Sequence, residues 1–461
     1  MMKHILAAAL WGFVMAVAFP VYAQQPKENN LGSLWSQVAD YYSGIKSKTA
    51  EVEAANYQQR AVKSNQLPQL KAQAQNTYGT YEGSLGAFFP QAGFFNVSGA
   101  AVPIESSTSA ANTFASATVN WELYSFGKLR KQNQAAGALY QQALSEKEAY
   151  LLRLKKLLSE RYINLLYNQA KWNWTQKQVE RLNDIRKTTA GLSASGLRPA
   201  ADSLLASSSH IQALGEQHKW EGFKNASLIK LLELYGGDTV DYMESSERFI
   251  QLSQGAVNQF SSVDSAHPIL HALEEKSQYY TLSGEAQKRA SLPTVSLLGG
   301  YSYRGTGIQT NEPVSGSWKD GFNNTATNYL VGIGITWDIS ALQRDHLKGE
   351  KLFKEAESVQ QLQLQYKQAM QADLAASQSK IAQQYQQLIQ TDQAVKQSQA
   401  AYQMYLARYK SGLIALSELL QIQNLLEQAA NLHMEASRDY WMQLAYEAEL
   451  TTDFDYLFNH L

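Results

Sequence analysis

The sequence predicts an α+β chain built as an internal tandem duplication, each half carrying one very long helix and one pair of amphipathic strands. Three observations lead there. Ala341–Leu420 contains no proline, and at about 1.5 Å per residue a helix over 341–410 would be on the order of 100 Å long, far beyond the needs of a globular domain. Apolar residues recur along it every seven positions, first Leu352, Val359 and Tyr366, then after one shifted step Leu374, Ile381, Leu388, Val395, Tyr402 and Tyr409; that is a coiled-coil seam. A second proline-free run over 128–194 closes in Ser195-Gly196-Leu197 as the first closes in Ser411-Gly412-Leu413, and 412 − 196 = 216. Asn120-Trp121-Glu122-Leu123 and Thr336-Trp337-Asp338-Ile339 stand the same distance apart, so one spacing relates both ends of both helices.

Residues 1–23 read as a signal peptide: Lys3 and His4, an apolar run from Ile5 to Ala18, and Val21-Tyr22-Ala23 before Gln24. A membrane anchor would need about 20 apolar residues, and nothing after the run is apolar for that long. The first repeat is expected over 24–237. Leu34, Val38, Tyr41 and Ile45 place a helix over 31–65, stopped at Pro68. Strands follow at about 68–82, where Leu70, Ala72 and Ala74 alternate with Lys71, Gln73 and Gln75, and at about 112–124, where Ala115, Ala117, Val119 and Trp121 share a face. Between them Pro90, Pro103, the pairs Phe88-Phe89 and Phe94-Phe95, and many Gly and Ser residues are loop chemistry. The long helix 128–194 then turns into a return helix that ends near Gly236-Gly237.

Residues 238–265 lack a clear period and form a connector. The second repeat spans 266–450, opening with a helix at His267-Pro268. Its strands fall at about 293–304 and 328–340, with Leu292-Pro293-Thr294-Val295 matching Leu67-Pro68-Gln69-Leu70 at a spacing of 225. In the last strand Tyr329, Val331, Ile333, Ile335, Trp337 and Ile339 alternate with small or polar residues. About ten alternating residues suffice for a tilted strand to cross a bilayer. The segment 305–328 between these strands is rich in Gly, Ser, Thr and Asn and fits a solvent-exposed loop. The long helix 341–410, a return helix and a tail over 451–461 complete the chain.

Four strands facing lipid raise a physical problem. An unclosed sheet would leave edge N–H and C=O groups in hydrocarbon at a cost of several kcal/mol each. Single-chain barrels start at about eight strands, so at least two chains would have to contribute to one barrel. A soluble sheet packed on the helices is the other way to cover those groups. Composition narrows the rest: 40 Lys+Arg against 41 Asp+Glu gives no basic excess for nucleic acid, and the absence of Cys excludes disulfides, thiol catalysis and Cys-bound metals.

Leu67-Pro68-x-Leu70 and Leu292-Pro293-x-Val295, Trp121-x-Leu123-x-x-x-Gly127-Lys128, His267-Pro268 and the paired Gly-Leu turns, taken in order, resemble the outer membrane efflux protein family of TolC-type channels over nearly all the mature chain. The resemblance implies a homotrimer in which each chain gives four strands to a twelve-stranded outer-membrane β-barrel, continued by a coiled-coil tunnel in the periplasm. Connector and tail would form an equatorial belt. The function implied is a passive exit duct of a tripartite efflux or type I secretion system, for drugs, metal ions, small molecules or polypeptides. Its partners would be a periplasmic adaptor protein, an inner-membrane pump of RND or ABC type, and outer-membrane lipid; no cofactor is implied.

By the same resemblance Gly196-Leu197 and Gly412-Leu413 are adaptor-docking turns, and Asp202, Glu418, Tyr409 and Gln421 belong to the pore entrance. Three copies of Asp202 and Glu418 would make a carboxylate ring favouring cations. In a first helical turn either carboxylate also gains about 0.3–1 kcal/mol from the helix dipole. Two departures weaken the family's ionic latch: Ile414 stands where an arginine is found, and Gln421 where a second aspartate is found. Closure would then rest on Tyr409 and apolar contact.

No catalytic constellation emerges. His267 and His271 are four apart, but the residues between them lack the Glu of a zinc-hydrolase motif, and Gly299-Gly300 and Gly305-Thr306-Gly307 lack the lysine of a phosphate loop. Trp121, Trp337, Tyr301, Tyr303 and Tyr329 fall near strand ends, where bilayer interfaces favour such rings. The rival readings are a periplasmic coiled-coil scaffold or adaptor, and a soluble exported enzyme.

Overall fold

The computed structural model describes residues 30–80, 109–237, 243–250, 263, 266–308 and 316–461. The signal peptide, most of the connector 238–265 and the four phenylalanines at 88, 89, 94 and 95 lie outside these residues.

The helix expected over 31–65 is two: α1 (Leu31–Tyr41) and α2 (Ser43–Ser64). Tyr42 leaves the helical region at φ −67°, ψ 118°, and its N–H closes on the Val38 carbonyl. The bend separates two environments, since Leu31, Leu34 and Val38 of α1 are buried whereas α2 buries only Val52. Four strands follow the expected alternation: β1 (Gln69–Thr80), β2 (Ser109–Tyr124), β3 (Thr294–Thr306) and β4 (Ala326–Thr336), antiparallel and adjacent in that order. Two limits differ from expectation. β2 begins at Ser109, inside the expected loop, because pairing with β1 continues to Thr80 and buries Ala110 and Ala111. β4 ends at Thr336 and not near 340: the Asp338 carboxylate accepts the Ala341 N–H at 3.2 Å and caps a 3₁₀ turn, Ile339–Ala341, that starts the next helix. The loop expected over 305–328 contains a further 3₁₀ turn, Trp318–Phe322, with Gly321 buried against Ala111.

The register sorts the strands into two faces. One carries Leu70, Ala72 and Ala74, then Val119 and Trp121, then Val295, Leu297 and Tyr301, then Tyr329, Val331, Ile333 and Ile335, and it bears no charge. The other carries Gln69, Lys71, Gln73, Gln75, Thr118, Ser116, Ser302 and Asn328, with Phe114, Leu298 and Leu330 its large apolar members. On the apolar face Tyr329 is 85% and Val331 73% exposed in the single chain. At its helical end the Trp121 indole donates to the Gln66 carbonyl and the Trp337 indole to that of Ser291, both at 2.9 Å. The two anchors are twins of the duplication, and they pin β2 and β4 to the segments that open β1 and β3.

The long helices α3 (Lys128–Ala194, 67 residues) and α7 (Leu342–Lys410, 69 residues) run away from the sheet. Near the sheet α3 packs on α2 and α6 (Pro268–Arg289), and farther away on α4 (Ala200–Tyr235) and α8 (Leu416–Thr451). α7 packs first on α6 and then on α8. Of the heptad positions, Val359, Leu374, Ile381, Leu388, Tyr402 and Tyr409 are buried, but Tyr366 is 43% exposed. At the shifted step the burial passes to Met370. Met370 belongs to a second row with Ala356 and Ser377, at spacings of fourteen and seven, which joins α7 to α6 and α8 through polar contacts: Ser277 Oγ donates to the Ala356 carbonyl at 3.2 Å, and Gln443 Nε2 to Ser377 Oγ at 2.7 Å. A Cβ at Gly349 would lie 3.1 Å from the Gly284 carbonyl and one at Gly284 3.2 Å from that of Gly349, so glycine at both positions eases the close approach of α6 and α7.

The largest core sits midway along the helices. There α1, α5 (Met243–Ile250) and α9 (Asp455–His460) close over Leu158, Tyr162, Leu166, Leu231 and Tyr440. The Trp441 indole donates to the Phe249 carbonyl at 3.2 Å and Ser245 Oγ to the Leu461 carbonyl at 2.5 Å, tying connector and tail to the bundle. No helix among the described residues is long and apolar enough to cross a membrane.

Candidate functional site

The site lies at the end of the helices farthest from the sheet, where α3 turns into α4 and α7 into α8. Each reversal needs one residue in the left-handed region, supplied by Gly196 (φ +75°) and Gly412 (φ +77°). The Gly196 N–H bonds the Ser193 carbonyl at 3.0 Å and the Leu197 N–H that of Leu192 at 2.9 Å; Gly412 and Leu413 repeat the pattern on Tyr409 and Arg408 at 2.9 and 3.0 Å. These paired bonds satisfy the last helical carbonyls and leave the next side chain outside. Leu197 and Leu413 are accordingly 70% and 71% exposed, two apolar side chains at the extreme tip.

The return helices start differently, with a consequence for the two acids. Glu418 folds back so that Oε1 accepts the Ala415 N–H at 3.4 Å, a capping contact. The equivalent of Ala415 in the first repeat is Pro199, which has no N–H to give. Asp202 therefore has no such partner, and its half-buried carboxylate makes no side-chain hydrogen bond among the described residues. Glu418 and Gln421 are exposed.

Tyr409 is fully buried within the chain, its hydroxyl 2.8 Å from Thr189 Oγ1 of α3. Arg198, a residue the sequence analysis did not single out, joins the turns: Nη2 donates to the Ile414 carbonyl at 2.6 Å, while the guanidinium lies 5.4 Å from the centre of the Tyr409 ring. The arginine absent at Ile414 is thus present at its twin, 216 residues earlier. Subtracting the repeat spacing would have located it.

Above the turns a polar network crosses between α3 and α8. The Trp174 indole donates to Glu427 Oε2 at 2.8 Å, Lys171 Nζ donates to Asn431 Oδ1 at 2.7 Å, and Lys171 lies 3.4 Å from Glu435. Burial is the largest influence on both ionisable partners, raising the Glu427 carboxyl and lowering the Lys171 ammonium from their ordinary pKa values. His267 and His271 do not converge on one site. His267 caps α6, Nδ1 accepting the Ile269 N–H at 3.3 Å, and His271 Nδ1 lies 2.7 Å from Ser145 Oγ.

Comparison with known proteins places this arrangement. The Outer membrane efflux protein family matches residues 37–237 and 269–445. Among solved structures, the outer-membrane channel OprN is 18% identical, with a TM-score of 0.73 over 91% of this chain and 89% of that one. The CmeC outer membrane channel of Campylobacter jejuni is 13% identical, with a TM-score of 0.73 over 98% and 94% of the two chains. The open state of the MtrE outer membrane channel of Neisseria gonorrhoeae is 17% identical, with a TM-score of 0.65 over 92% and 89%. No curated protein matches significantly. The duplicated helices, four-stranded sheet and paired glycine turns are thus those of a recognised group, and the chain belongs to the outer membrane efflux protein family.

Proposed function

We propose that three copies of this chain form the exit duct of a tripartite efflux system, a passive channel coupled through a periplasmic adaptor to an inner-membrane pump. The observation that carries this reading is the open four-stranded sheet with one uncharged apolar face and unpaired edges at β1 and β4. In lipid those edges must be closed, and pairing β4 of one copy with β1 of the next does so without new structure. Twelve strands then surround a lumen lined by the Gln, Ser and Thr face, and α3, α4, α7 and α8 of three copies extend it as a periplasmic tunnel. The Leu197 and Leu413 tips are the adaptor-docking points. Asp202, Glu418, Gln421 and Tyr409 stand at the entrance, with Tyr409 as part of the closure. A coiled-coil scaffold or adaptor would have no use for the exposed Tyr329, Val331, Ile333 and Ile335.

The test is physical. Protein extracted from the outer membrane in detergent should migrate as an oligomer that heating converts to monomer, and should conduct ions after reconstitution into a planar bilayer. A monomer that stays soluble without detergent and gives no conductance would exclude the duct.

A further inference from the structure

The strands contain two basic residues, Lys71 and Arg304, and one acidic residue, Glu122. All three belong to the polar face. Glu122 is neutralised by Lys128, whose Nζ lies 3.0 Å from it. Lys71 and Arg304 are exposed and make no ion pair or hydrogen bond among the described residues. Register sets their relation: Lys71 pairs with Thr118, Arg304 with Phe114, and Ser116 lies between, so the charges sit at two levels roughly 13 Å apart along the strands.

We propose that these residues give the barrel lumen an anion preference, opposite in sign to the carboxylates at the far end of the tunnel. This rests on the reading of the chain as a trimeric channel whose polar face lines the pore. Twelve strands about 4.8 Å apart and tilted by roughly 40° close into a ring about 24 Å across. Inward-pointing Lys and Arg side chains then bring six positive charges within about one Debye length of the axis, which is about 10 Å at 0.1 M salt. A positive lumen in low-dielectric walls raises the local concentration of anions. The duct so built presents carboxylates where solutes are taken up and cationic groups where they leave. An anionic solute is favoured in the last section, and a cationic one is not retained there.

The chain has no cysteine, so one introduced thiol is the sole site of reaction and reports the potential where it sits. The Ser116→Cys protein, in outer-membrane vesicles, is treated with anionic and with cationic methanethiosulfonate reagents, and the ratio of the two rates is measured at low salt. With Lys71 and Arg304 present the ratio favours the anionic reagent. In the K71Q/R304Q background it should fall by about threefold or more, and in K71E/R304E it should invert. At 1 M salt, where screening acts over about 3 Å, the three proteins should converge. A rate ratio at the introduced thiol that is the same in all three proteins at low salt would overturn the anion preference while leaving the channel reading intact. A thiol that neither reagent reaches in correctly assembled oligomer would instead remove the water-filled lumen, and with it the proposed function.

Discussion

At the scale of single residues, the tip is held by contacts between the two halves of the duplication. Arg198 bonds the Ile414 carbonyl and lies against Tyr409, whose hydroxyl meets Thr189. A charge-assisted hydrogen bond of this kind contributes about 1.5–3 kcal/mol, and its loss leaves the part-buried Ile414 carbonyl without that donor. Arg198→Ala should therefore loosen the turns, giving a higher mean single-channel conductance than wild type; an unchanged conductance would make the contact static packing. Legibility here was uneven. Glycine at both turns followed from the need for a left-handed residue, and the acids followed from the resemblance. The pairing of Thr189 with Tyr409 did not, because it depends on how α3 and α7 lie side by side. Nor did the inequality of Asp202 and Glu418, although its cause, a proline at the cap, was in plain view.

At the scale of elements, the long helix α7 carries more than one seam. The apolar heptads were readable because burying a leucine or tyrosine is what drives the pattern. The row of Ala356, Met370 and Ser377 was not, since with only one large apolar member among small and polar ones it leaves little periodic hydrophobic signal. One buried polar site yields a pH prediction. His433 of α8 lies beside Thr391 of α7, with Nδ1 3.0 Å from Oγ1, and lines a cavity of about 310 Å³ with Lys177 of α3 and Ile250 of α5. Burial lowers its pKa below the ordinary 6.5; Asp392 and the Ile250 carbonyl oppose that shift, and Lys396 adds to it. Between the lowered folded value and 6.5 the unfolded chain binds the extra proton, so stability rises with pH there and falls on acidification. Thermal unfolding followed from pH 7 downward should show this loss, and His433→Gln should flatten it; an unaltered slope would assign the pH dependence to other groups.

At the scale of the whole molecule, the two sheet faces meet different surroundings, and substitution should separate them. Val331→Arg places a charge on the apolar face, at a cost of about 2–4 kcal/mol per copy near the bilayer midplane. It should abolish the heat-sensitive oligomer in the outer membrane. Gln73→Arg, on the polar face, should leave assembly intact. Equal tolerance of both would mean that the apolar face does not meet lipid, and loss of the oligomer with Gln73→Arg alone would mean the faces are assigned the wrong way round.

What the sequence determined by itself was the duplication, the long helices, the four alternating strands and the turn glycines. Each of these is encoded in local periodicity or in a backbone conformation that few residues adopt. What only the tertiary structure decided was the break at Tyr42, the second seam, the Arg198 bridge and the register that puts Lys71 and Arg304 on one face. These depend on which distant segments come together, and the chain reports that only once its helices and strands have packed.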